Sequence, residues 1–249
     1  MNTINHIKTV FSFFFKNSLK SRKTKLFFFL SIIPSIIIII INIVNKGSSD
    51  LAFNNLFEKI GLIYFFVFYI QALALFLGTS IINDEVSDKT LIYLTTKPIS
   101  KSSILIGKYI AYYINSLLIV LIGILLAFIS DYKMGLNLTT IILILGIAAI
   151  ALLSYMAMFN LFGTVLKRPI MIGLVFVFGW EPLASLIGGT VQKFSYAYYI
   201  NFLLPGNIYE LKSSPSSAFI SIIMLLGFAI IFLGISIYTF KKKEYNLST

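Results

Sequence analysis

Nine carboxylates, one histidine and no cysteine leave this chain of 249 residues few groups with which to do chemistry. Without thiols there are neither disulfides nor thiolate metal sites, and a lone His6 cannot build a haem or imidazole metal centre. No G-x-x-x-x-G-K-[ST] run is present. Gly107-Lys108-Tyr109 lacks both the upstream glycine and the hydroxyl, so the chain is not expected to bind ATP. H-E-x-x-H, G-x-S-x-G and paired intramembrane acids are missing too, which removes the obvious membrane proteases and hydrolases. The expectation is no catalytic residue, no metal and no cofactor.

Single polar residues inside apolar runs are the remaining candidates. Glu181 stands out, because a carboxylate beside Trp180 at the outer membrane boundary is costly unless solvated or paired. Lys193 is the partner in reach; the headgroup layer is the alternative. Gln71, Asn115 and Asn160 read first as hydrogen-bond glue between helices.

These residues sit in a chain that is 58% hydrophobic and 12% charged, against about 25% charged in ordinary soluble domains. Apolar blocks this long cross a bilayer as helices. Six spans are expected: Leu26–Val44, Ile60–Ile82, Ile110–Ile129, Leu138–Leu161, Ile170–Gly188 and Ala218–Phe240. The fold class is therefore an all-α polytopic membrane protein, organised as a single transmembrane domain over residues 1–249. Trp180-Glu181-Pro182 is expected to interrupt the fifth span, since proline lacks a donor and clashes with the preceding turn. In the fourth, Gly146, Ala149 and Ala157 predict a close helix contact.

The net charge of +11 is distributed by topology rather than along a nucleic-acid stripe, so no nucleic-acid partner is expected. With the N-terminus inside, the cytoplasmic segments hold 15 lysines and arginines and the opposite side 5. This positive-inside bias predicts that both termini are cytoplasmic. Residues 1–25 are expected to form an interfacial amphipathic helix, with Phe11, Phe14 and Phe15 in the acyl boundary and lysines near headgroups. A basic tail that only sets topology is the alternative. No small-x-small cleavage site follows the first apolar run, so that run is expected to stay in the membrane.

Residues 83–103 form the charged connection between the second and third spans. Glu85–Thr95 offers an apolar edge at Leu91 and Leu94 and a polar one at Glu85, Asp88 and Lys89. Lys97-Pro98 ends the helix, because the residue before proline is pushed out of helical geometry. Ser100 then stands where an N-cap belongs. The expected arrangement is helix, break and capped helix.

The pattern Asp84-Glu85-x-x-x-Lys89-Thr90-x-x-Tyr93-Leu94-x-x-x-Pro98-x-Ser100-Lys101, followed by Gly107-Lys108, resembles the signature loop of ABC-2 type transporter permeases. Lys89 stands where many members have glycine, a departure shared by a Lys-Thr-x-x-Tyr-Leu sub-branch. The resemblance implies a permease subunit, an exporter in direction, in a multi-pass bacterial plasma-membrane complex. Its partners would be two copies of a cytoplasmic ATP-binding subunit, which carry the ATP and Mg, and a second permease half, identical or related. The first and fifth spans would lie between halves. Glu85, Asp88, Lys89, Thr90, Leu91, Leu94 and Pro98 would then form the ATPase-coupling interface. Residues 181–217 would form an outer re-entrant segment and loop, turning at Gly188-Gly189, with Glu181, Trp180, Gln71 and Asn160 as a substrate path or gate. The competing reading is a membrane scaffold, sensor or enzyme of another kind.

Overall fold

Backbone polar groups in a bilayer must be satisfied within the chain, which favours helices for segments as apolar as these. The computed structural model describes residues 3–44, 56–87, 100–131, 138–187, 189–204 and 215–243, and these are helical with no strand among them. An amphipathic helix α1 (Thr3–Lys20) is separated by Ser21 from α2 (Arg22–Val44). Two widened π segments, Phe57–Gly61 and Tyr64–Tyr69, lead into α3 (Ile70–Ser87). Two long helices follow, α4 (Lys101–Ser130) and α5 (Leu138–Val165). Next come α6 (Pro169–Val175), a π segment at Phe176–Trp180 and α7 (Glu181–Ile187). A 3-10 turn (Val191–Phe194), α8 (Tyr196–Leu203) and α9 (Pro215–Lys242) complete the order.

Among the described residues, five helices are long and apolar enough to cross a membrane: Arg22–Val44, Tyr64–Val86, Lys101–Ser130, Leu138–Val165 and Ala218–Lys242. The expected fifth span is present as a shorter apolar helix, Pro169–Ala184. Pro182 does not break it, contrary to the sequence expectation. The π segment widens the turn just ahead of the proline, and regular helix resumes at Glu181. Extra room in a π turn relieves the clash between a proline ring and the carbonyl before it. The helix bends its register instead of ending.

The second span is the buried centre of the bundle and the last is the most exposed. It packs along α5, where a Cβ added at Gly163 would lie 2.6 Å from the Thr79 carbonyl oxygen. Only glycine permits that crossing. The small-residue contact expected at Gly146, Ala149 and Ala157 is therefore misplaced in part. Gly146 faces open space, while Ala157 is buried and the close approach lies toward the other end of α5.

Proline also shapes α2. Pro34 has no N–H to offer the Leu30 carbonyl four residues earlier, and the Tyr64 hydroxyl donates to that oxygen at 2.7 Å. One turn away, the Tyr69 hydroxyl donates to the Phe27 carbonyl, also at 2.7 Å. The π segment that carries both tyrosines thus mends a helix elsewhere in the chain. Tyr64→Phe is expected to orphan the Leu30 carbonyl and cost about 1–3 kcal/mol. Thermal unfolding in detergent reads this as a lower Tm, and an unchanged Tm would refute the repair.

Candidate functional site

At one end of the bundle α1 lies along the start of α4. A Cβ at Gly107 would sit 2.8 Å from Val10 Cγ1, so glycine sets how closely the two helices approach. Lys108, 1% exposed, is thereby roofed by α1. Its Nζ donates to Glu85 Oε1 at 2.9 Å and lies 4.4 Å from the centroid of the Phe14 ring. A buried ammonium is tolerable only with such a counter-charge, and an aromatic face adds further attraction. A second pair stands beside it. Lys23 Nζ donates to both Asp84 oxygens, at 3.0 and 2.9 Å, and to Ser80 Oγ at 2.7 Å. Two adjacent carboxylates at the end of α3 are thus tied to α2 and α4.

Ser100 caps α4 as the sequence predicts, with its Oγ accepting from the Ser103 N–H at 3.2 Å. Asp88, Lys89, Thr90, Leu91, Leu94 and Pro98 lie outside the described residues. The phenylalanines of α1 are not all in a lipid boundary, as had been expected. Phe14 is buried against Val10 and Ala111, and Phe11 and Phe15 pack beside it. Phe13 and Leu19 take the exposed side instead. The reversal follows from Lys108, whose ammonium needs the Phe14 ring as a cover. At the same end Lys243 donates to the Thr164 and Val165 carbonyls at 2.8 and 3.2 Å, satisfying the last turn of α5. Burial there holds its ammonium below the ordinary lysine range.

The second cluster centres on Glu181, 3% exposed. The protein, not solvent, surrounds its carboxylate. Its Oε1 accepts from the Tyr196 N–H at 3.2 Å and the Tyr155 hydroxyl at 3.4 Å. Its Oε2 accepts from the Ala197 N–H at 3.1 Å and from the Ser195 hydroxyl in a short bond. Glu181 therefore caps α8 from a distant helix, placing an anion where the first N–H groups of a helix lack partners and its dipole is positive. Tyr155 belongs to the middle third of α5, and its ring centroid is 4.7 Å from that of Tyr196. Ion pairs that join described residues are Lys23–Asp84 and Lys108–Glu85, and Glu181 relies on hydrogen-bond donors. The chain reverses between α7 and α8 at Gly189, whose φ of 61° falls where side chains are strained. Gly188 lies outside the described residues.

Beside this cap lies a cavity of about 550 Å³, between the second span and the α7–α8 reversal. Gln71 and Glu181 both line it. Trp180 is not among its lining residues; it is partly exposed, with Nε1 donating to the Phe194 carbonyl at 3.4 Å. Asn160 lies elsewhere: it donates to Ser236 Oγ at 3.0 Å and links α5 to α9. Asn115 likewise reaches Thr24 Oγ1 at 3.4 Å.

Several residues of these clusters escaped the sequence reading. Asn201, on the cavity wall, is 2% exposed. Asp131 at the end of α4 accepts from the Phe57 N–H at 2.9 Å, a second carboxylate serving a helix start. Their common signal is a polar side chain within or ending an apolar run. The backbone N–H groups that hold the acids leave no mark in a sequence.

The family described as ABC-2 family transporter protein matches residues 15–245, nearly the whole chain. No curated protein sequence matches it significantly. The chain belongs to the ABC-2 transporter family, and it is a membrane component of an ABC transporter.

Proposed function

We propose that this ABC-2 protein is the permease subunit of an ATP-driven exporter in a bacterial plasma membrane, with hydrolysis performed by a separate subunit. The chain crosses six times with both termini in the cytoplasm, Pro169–Ala184 being part of the fifth crossing. Two permease halves, identical or related, sit on two ATP-binding subunits. The Lys108–Glu85 pair under Phe14 carries this reading. Residues 88–99 connect α3 to α4; the Lys23–Asp84 pair fastens the α3 flank to α2, the Lys108–Glu85 pair fastens the two flanks to each other, and Phe14 of the amphipathic α1 covers Lys108. A push on such a connection is passed to three helices together rather than absorbed by one. Rigid charged platforms of this kind suit the transfer of motion from a soluble motor.

Copurification tests the assembly. Pulling on the tagged chain from native membranes should bring down a nucleotide-binding protein in a 1:1 ratio, and an isolated chain that still transports would refute the reading. Topology is tested separately. Ser48→Cys and Ser214→Cys should react with an impermeant maleimide from outside intact cells, whereas Ser102→Cys and Ser248→Cys should not. The native chain has no cysteine to obscure that readout. Labelling at position 102 would overturn the six-span arrangement.

A further inference from the structure

We propose that the cavity between the second span and the α7–α8 reversal binds an organic cation, an alkylated ammonium group carried on an apolar body. Among the described residues that line it, Glu181 is the one charged side chain. The remainder are neutral polar groups such as Gln192 and Ser195, or apolar and aromatic surface from Val67, Val177 and Tyr198. The carboxylate belongs to the wall itself. Ser195 and Ala197, which also line the cavity, both donate to its Oε2. The four donors to its two oxygens are hydroxyls and backbone N–H groups, which orient the negative charge without neutralising it. Inside protein, where water screens little, such a charge acts on a ligand several ångströms away without touching it. A cation is drawn in and an anion is repelled.

Two observations set the kind of cation. A metal ion binds by taking oxygen lone pairs directly, and a carboxylate offers about four. Those of Glu181 are engaged by the four donors. The volume of about 550 Å³ is also far larger than a single ion and lies within the range of small-molecule sites. An alkylated ammonium spreads its charge over C–H surface, needs no coordination and leaves its body to Val67, Val177 and Leu186. Tyr198 adds aromatic surface of the type that attracts such ions. Leu186 lines the cavity and is 81% exposed, so the space opens on that side.

Calling this occupant cargo rests on the permease reading; its binding does not. The full chain would be placed in nanodiscs of zwitterionic phosphatidylcholine, whose surface does not concentrate cations, and dialysed against radiolabelled benzyltriethylammonium. Saturable one-site binding is expected, with neutral N,N-diethylbenzamide and anionic benzylsulfonate at least tenfold weaker as competitors. Glu181→Gln should weaken the ammonium at least tenfold. That variant also loosens the cap of α8, so the exposed mouth supplies a second pair. Leu186→Arg should weaken the ammonium at least threefold and Leu186→Glu strengthen it by a similar factor, both with the native Tm. Absence of saturable binding, equal competition by the neutral or anionic compound, or displacement by an equal concentration of sodium would each overturn the proposal. So would native binding in Glu181→Gln, or Leu186 variants that shift binding in the same direction or not at all. Absence of a copurifying ATP-binding partner would sink the permease reading and leave these binding results standing.

Discussion

Glu85→Gln should destabilise the protein by about 3–5 kcal/mol, and Lys108→Met by only about 1 kcal/mol, although both break the same ion pair. The asymmetry comes from burial. The Lys108 side chain is 1% exposed and that of Glu85 is 18%. Glutamine at position 85 leaves an ammonium in an apolar pocket with only the Phe14 face and a weakened acceptor. Methionine at position 108 instead fills the channel of the lysine stem and packs on Phe14, while Glu85 keeps access to water. Thermal unfolding in detergent should therefore rank the variants native, then Lys108→Met, then Glu85→Gln. Transport behaves differently. Both variants should lose at least tenfold of transport per ATP hydrolysed at matched expression, because the flank of the 88–99 connection is no longer fastened. Transport at the native level by both would sink the coupling role. A larger stability loss for Lys108→Met would sink the electrostatic account.

The helical architecture could be read in advance because hydropathy and helix length are local properties. Ser100 was legible for the same reason: its partner is three residues away. The π segments were not, because neither the aromatic run Tyr64–Tyr69 nor Phe57–Gly61 carries a local pattern that specifies a widened turn. What selects them is tertiary: Tyr64 must reach the carbonyl that Pro34 abandons. Proline's effect at position 182 was overestimated by the same local reasoning. A break is the default outcome for an isolated helix, whereas neighbouring helices here favour a widened turn. Gly107 and Lys108 were visible as a motif, yet the covering role of Phe14 depends on how α1 folds back over α4. Phe13, adjacent in sequence, has the opposite fate. The choice between them is made by a buried charge in a different helix.

Glu181 shows the same limit, and it supports the prediction with the widest local effect. Sequence proximity favoured Lys193 as its partner, but the acid is held by two backbone N–H groups and two hydroxyls. Glu181→Leu removes every acceptor at once and leaves the Tyr196 and Ala197 N–H groups stranded beside apolar side chains. At about 1–3 kcal/mol for each buried unsatisfied group, the loss should reach about 3 kcal/mol or more. Glu181→Gln keeps one acceptor oxygen but turns an NH2 group toward donors, so an intermediate loss is expected. The damage should stay local, because the remaining helices do not depend on this cap. Hydrogen exchange at Tyr196 and Ala197 should accelerate roughly 100-fold in Glu181→Leu, as expected when a helix start opens below the global unfolding limit. Exchange at Phe57, capped by Asp131, should not change. Asp131→Leu should produce the converse, faster exchange at Phe57 with Tyr196 and Ala197 unaffected. Uniform acceleration across both sites in either variant would mean that the acids support the bundle as a whole. Unchanged exchange at Tyr196 in Glu181→Leu would remove the cap from the account altogether.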